Sequence, residues 1–104
     1  MSTNYVSNGK TVTLPAPTGG SVAGIPQVIG DLAVMPLQSG SKGAAITYHT
    51  TGEWDAPAAA GMKAGSKVSV LDGQLVPPET ANAKPFGKLT SDVANGAASV
   101  LIVQ

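Results

Sequence analysis

The side chains that do chemistry in proteins are scarce in this chain. His49 is the sole histidine, there is no Cys and no Arg, and the aromatic residues are Tyr5, Tyr48, Trp54 and Phe86. General acid–base catalysis needs a titratable group within reach of a reacting proton, and covalent catalysis needs a nucleophile beside a base. His49 has no second His and no Cys with which to share a metal, so it reads as a strand residue facing solvent or a neighbour. Gly19-Gly20 with Gly24 has no strand-to-helix context around it and is not a phosphate loop. Asp72-Gly73 and Asn95-Gly96 are turn chemistry. These residues point away from an enzyme, and they imply no cofactor and no metal.

Composition narrows the classes further. The chain of 104 residues allows one small domain, which buries about two-thirds of its unfolded surface. Its hydrophobic fraction of 42% excludes disorder by composition, but much of that fraction is Ala, so the core must be thin. Association with copies or a partner surface is a common remedy. Six Lys balance six acidic residues, and the Lys residues are scattered without a basic stripe. That pattern disfavours nucleic-acid binding, which rests on clustered cations. The start, Met1 to Tyr5, lacks a basic n-region and an apolar run, and no stretch approaches membrane-spanning length. The expectation is a chain with no direct nucleic-acid or membrane partner.

Met62-Lys63 is similar to the modified lysine of biotinyl carrier domains. Gly61 and Ala64 flank the pair where that motif carries other residues, so Lys63 reads as a solvated loop lysine.

The elements that would position these residues are strands. Thr11-Val12-Thr13-Leu14 alternates and stops at Pro15. Val28-Ile29 and Leu32 to Met35 flank Gly30-Asp31 as a tight reversal. Ala44 to Thr51 is the longest strand candidate, with Ile46 and Tyr48 on one face and Thr47 and His49 on the other. Gly52 then bulges or turns the chain into Trp54. Val68 to Leu71 and Gln74 to Val76 around Asp72-Gly73 form a two-residue hairpin, since that turn needs positive φ at both centres. Phe86 to Thr90 and Ser99 to Val103 add two strands. The run Val100 to Val103 is apolar throughout and is expected to be buried on both faces or paired in a subunit contact. Ala56 to Met62 reads as a loop with one helical turn at most.

The fold class is therefore all-β: a small barrel or sandwich of about six to eight short strands with Gly and Pro between them. Residues 1–24 are rich in Gly and Pro and poor in anchoring hydrophobics. They read as a flexible N-terminal arm, ordered on finding a sheet edge, ahead of a β domain over 25–104.

The order of short motifs carries a family resemblance. It runs through Asn4-Tyr5-Val6, Asn8 to Val12, Gly24 to Val34, Gly43 to Tyr48, Thr51 to Pro57, Ala64 to Val68 and Phe86 to Leu89, and closes on the C-terminal β run. The chain resembles the capsid decoration, or capsid cement, proteins of tailed phages and prophages. That resemblance implies a barrel-like, non-enzymatic structural protein on the outer surface of the mature virion head. It implies the major capsid protein as partner, and homotrimers at three-fold and quasi-three-fold sites that oppose the pressure of packaged DNA. Tyr5, Val6, Thr11 and Val12 are the expected coat contact, by strand addition, and Thr11 to Leu14 can equally be an ordinary first strand. Trp54 reads either as an interface anchor or as core. The alternative function is a phage surface module that binds host glycan or protein, which four aromatics serve poorly as a stacking platform.

Overall fold

A computed structural model describes residues 8–104, so Tyr5 and Val6 lie outside the described residues. Among the described residues there are nine strands and no helix. In chain order they are β1 (Thr11–Pro15), β2 (Gln27–Ile29), β3 (Leu32–Pro36), β4 (Ala45–His49), β5 (Glu53–Pro57), β6 (Lys67–Leu71), β7 (Gln74–Val76), β8 (Lys84–Leu89) and β9 (Ala97–Ile102). The all-β expectation holds. The strand number exceeds it by β5, whose last residues Ala56 and Pro57 read from sequence as the start of a loop.

The strands form two sheets, ordered β1-β4-β3-β2 and β5-β9-β8-β6-β7. Turn chemistry sets the local pairings. Gly30 and Asp31 reverse β2 into β3, with Ile29 opposite Leu32. Asp72 and Gly73 have φ of 51° and 79°, the two positive values of a type I′ turn, and join β6 to β7. Gly52, at φ 108°, turns the chain out of β4 toward β5 and Trp54.

The five-stranded sheet curls on itself. Ala58, just past β5, bridges Leu75 of β7, and the Ala59 amide donates to the Leu75 carbonyl at 2.9 Å. The segment 56–62, read from sequence as a loop, thus continues β5 through Pro57 and closes the curl at Ala58. Pairing of β6 with β8 shifts register between Val68 and Ser69, leaving Phe86 without an opposite residue. That shift lets Phe86 and Leu89, three residues apart, both face the core. Gly87 is required beside it, because a Cβ there would lie 1.9 Å from the Leu101 carbonyl oxygen of β9.

There are two packed clusters. One fills the curled sheet, with Phe86, Leu75, Leu89, Val68 and Val100 at its centre. The other joins Ala16, Val34, Ile46 and the fully buried Tyr48, with Val12 and Leu14 packed against it. Strand β3 serves both: Ala33 and Met35 enter the first cluster and Val34 the second. A strand buried on both faces is what couples the halves.

Where β4 leaves β3 to become β5, a ladder gap opens at Ala33. The Gln104 carboxamide fills it. Its Oε1 accepts from the Ala33 amide at 3.0 Å, and its Nε2 donates to the carbonyls of Ala33 and Thr50 at 2.7 and 2.9 Å. The side chain thus supplies the backbone-like donor and acceptor that a buried strand demands.

The C-terminal apolar run is not buried on both faces within the chain. Val100 and Ile102 point inward, whereas Leu101 and Val103 are each 42% exposed. Strand alternation on an outer sheet face explains this, and it leaves those two side chains to solvent or a partner.

Candidate docking interface

Strands β1 and β2 are the two edges of the four-stranded sheet, and among the described residues no strand pairs with the outer side of β1. Its register with β4 runs from Thr11 opposite His49 to Pro15 opposite Ala45. The Thr50 amide donates to the Lys10 carbonyl, and the Ala16 amide to the Ala44 carbonyl, at 3.0 and 2.8 Å. Ladder bonds in an antiparallel pair alternate, so Val12 and Leu14 turn their backbone groups toward β4. Thr11 and Thr13 turn theirs outward. Pro15, which has no amide hydrogen, falls on the outward parity, where a sheet tolerates it. The outer edge therefore offers the amides of Thr11 and Thr13 and the carbonyls of Thr11, Thr13 and Pro15 to an incoming strand.

Residues 8–24 build this sheet together with 25–50. Val12 and Leu14 alternate inward onto the Tyr48 cluster, while Thr11, Thr13 and Pro15 are exposed. The Thr13 hydroxyl lies 3.3 Å from that of Thr47 on β4. Thr11 and Val12, adjacent in sequence, thus belong to opposite faces.

Trp54 is half-buried and packs against the curled-sheet cluster. Its indole N–H donates to the Thr51 carbonyl at 3.0 Å, and its ring lies 4.7 Å from His49, tilted by 40°. His49 is the register partner of Thr11, so the two sheets place Thr11, His49 and Trp54 along one side of the molecule. Val12 stands apart, directed into the second cluster.

The acidic side chains beside Trp54 are occupied by neighbouring hydroxyls. Thr90 donates to Glu53 Oε2 and Ser99 to Asp55 Oδ1, both at 2.6 Å. Lys63 lies 3.9 Å from Asp92 in an exposed ion pair. No group of three or more His, Cys, Asp or Glu side chains that could hold a metal ion occurs among the described residues.

A second surface escaped the residue-by-residue reading. The loop 17–25 lies along the segment 36–40: Ser21 bridges Gly40, the Ala23 amide donates to Ser39 Oγ at 3.0 Å, and the Gly24 amide to the Pro36 carbonyl at 3.1 Å. Val22 and Leu37, on these adjoining segments, are 57% and 44% exposed. Beneath them the Ser21 hydroxyl donates to Gln27 Oε1 at 2.7 Å, so the Tyr48 hydroxyl, also 2.7 Å away, donates to Ser21. Gln27 Nε2 donates in turn to the Gly20 carbonyl at 3.1 Å. The tip is therefore held from below by a satisfied polar network.

Charge separates this half from the other. From Thr11 to Gly52 the formally charged side chains are Asp31 and Lys42, and every later one lies at or beyond Glu53. That asymmetry is visible along the sequence without any structure. A balanced total hides where charges sit.

Comparison with known proteins bears on this geometry at one point. A family model described as phage cement protein matches residues 6–104, nearly the whole chain. No curated protein and no solved structure matches it.

Proposed function

The chain belongs to the phage cement protein family, and from that premise we propose that it binds the seams between coat subunits at three-fold and quasi-three-fold sites of the mature head. A cement protein acts on the outer surface of the virion capsid, and its role there is structural. Copies assemble as homotrimers against the major capsid protein. Repetition does the physical work: each copy buries a modest interface across a seam, and many together oppose the outward pressure of packaged DNA. Preference for the expanded shell arises where the seam geometry exists after expansion and not before, a difference of affinities between two shell states. The reading is non-enzymatic, as a structural cement family suggests.

The observation that carries the contact is the open edge of β1. A coat strand that pairs with the outward groups of Thr11 and Thr13 adds to this edge, and Tyr5 and Val6 precede it in the sequence. Val12 supports the strand from the inner face, and Trp54 flanks it on the side shared with His49.

Co-sedimentation with undecorated heads of the encoding phage, expanded and unexpanded, tests the reading. Saturable binding to expanded heads, at a stoichiometry that fits the three-fold positions, is the expected result. Failure to bind either form removes it and brings the host-surface module forward. Thr13→Pro tests the edge itself, because it deletes one outward donor while leaving the β1–β4 ladder intact. Its affinity should fall by about tenfold, the loss expected for a strongly coupled interface hydrogen bond. Unchanged affinity in a folded Thr13→Pro variant overturns strand addition.

A further inference from the structure

We infer that the hollow at Ser69, on the outer face of the curled sheet, is a binding site for a carboxylate carried on a short apolar stem. The Ser69 hydroxyl is its hydrogen-bond donor, and Lys67 and Lys88 are its counter-charges. The inference is independent of how the chain meets the head.

Strand β6 puts Ser69 in an unusual place. Val68 and Val70 turn inward to the curled-sheet cluster, so Ser69 between them faces outward, on the side of Lys67. An outward serine is ordinarily wet, yet Ser69 is 2% exposed. Its neighbours across the strands are Val76 of β7 and Pro85 of β8, and Pro78 and Val103 line the same hollow. The hydroxyl makes no hydrogen bond among the described residues. It is not sealed in either, since no fully buried side-chain oxygen or nitrogen there lacks a partner. It therefore opens into the hollow. A hydroxyl removed from bulk water and without an internal partner is costly until something in the hollow accepts from it.

The rim is cationic. Lys67 and Lys88 are direct register partners on adjacent strands, both exposed and both lining this hollow. Like charges set directly opposite one another are destabilising, and an anion between them reverses the sign of that interaction. Neither lysine has an acidic partner: the ion pair among the described residues joins Lys63 to Asp92, and Glu79, next to Pro78, reaches neither. Glu53 stands in the same row but beyond Leu101, where it accepts from Thr90. Neighbouring hollows differ. Asp31 accompanies Lys84 in one, and Asp72 lines two others.

Shape and polarity select the ligand. The hollow measures about 290 Å³, at the small end of ligand sites. Pro78, Pro85 and Val103 give it apolar walls, against which a fully hydrated inorganic anion would lose its water for nothing. A carboxylate on a few methylene groups uses every part of it. One oxygen accepts from Ser69, both attract the ammonium groups, and the stem lies on the proline and valine walls.

Butyrate is the probe, titrated into the full chain at constant ionic strength and followed by amide and methyl NMR shifts. Saturable shifts centred on Ser69, Lys88 and Val103 are expected, with a dissociation constant in the millimolar range that so small a ligand allows. Butyramide, with the same shape and no charge, should not bind, and phosphate should bind more weakly than butyrate. Ser69→Ala should weaken butyrate by about fivefold or more, the loss of a hydrogen bond to a charged group. Lys67→Gln/Lys88→Gln should remove saturation over the same range, with shifts elsewhere in the spectrum reporting that the fold is kept. The α-amide of N-acetylglutamic acid separates two sources of the same chemistry. Binding as tight as that of butyrate assigns the carboxylate to an acidic side chain of a peptide, and exclusion assigns it to a free acid. Butyrate shifts that do not saturate, or that centre elsewhere, overturn the site. So does equal binding of butyramide or phosphate, or full affinity in Ser69→Ala. Each of these failures leaves the cement reading standing, because head binding is not what they measure.

Discussion

The two sheets solve the same problem with different materials. The curled sheet holds Phe86, Leu75, Leu89, Val68 and Val100 in its own interior and carries the charged side chains from Glu53 onward on its outside. The four-stranded sheet has a smaller cluster around Tyr48, leans on a Ser21–Tyr48–Gln27 network, and leaves Val22 and Leu37 exposed beside it. One half folds its apolar side chains inside a curled sheet. The other keeps apolar side chains and an open strand edge on the outside, which an isolated soluble domain normally blunts with charge. The contrast teaches that a thin core need not be thin everywhere: most of the buried apolar side chains gather in the curled sheet, and fewer pack around Tyr48.

The strongest way to break the comparison is to damage the barrel. Phe86→Ala empties the largest buried apolar side chain of that half and should cost about 3–5 kcal/mol. Chemical denaturation followed by Trp54 fluorescence and by far-UV dichroism reads it. Because β3 is buried in both clusters, the two probes should move together in a single transition. Separate midpoints would mean that the halves unfold independently and that β3 does not couple them.

Gln104→Ala probes the junction. It strips the Ala33 amide and carbonyl of their partners at a strand position that is 1% exposed, with an expected cost of about 2 kcal/mol. Hydrogen exchange at the Ala33 amide should accelerate more than exchange at Val100, deep in the barrel. Equal acceleration at both would make Gln104 a general stabiliser and not a latch between the sheets.

Tyr48→Phe is the smallest change and sharpens the contrast most. It removes one hydroxyl beneath the tip and should cost about 1 kcal/mol, with no effect on the barrel's own cluster. Chemical denaturation reads the loss, and an unchanged midpoint would show that the network adds nothing to the fold.

Much of the architecture was legible in the chain because its signals are local. Asp72-Gly73 specified a hairpin through the φ values the turn needs, and Gly30-Asp31 marked another reversal. Ile46 and Tyr48 alternated against Thr47 and His49 as a half-buried strand should. The failures were equally physical. A one-residue register shift at Phe86 breaks period two, so the inward pair Phe86 and Leu89 could not be counted from alternation. Ala56 to Met62 looked like a loop because Ala, Pro and Gly say little about pairing, yet its first residues finish β5 and Ala58 closes the curl. The apolar run at the C-terminus hid an outward face, since composition does not tell which side of a strand lacks a cover.

The candidate contacts divide the same way. By itself the sequence determined an all-β domain with one His, no Cys and no Arg, scattered cations, and a motif order that belongs with phage cement proteins. Those properties follow from residue types, turn preferences and their order, which need no partner to be expressed. Tertiary structure decided that Thr11 and Val12 part to opposite faces, that Trp54 meets His49, and that the loop carrying Val22 lies along the segment carrying Leu37. It also decided that Gln104 would complete a ladder 71 positions away in the sequence. Each of these rests on which backbone groups the folded sheets leave unpaired, and that is settled when distant strands choose their neighbours.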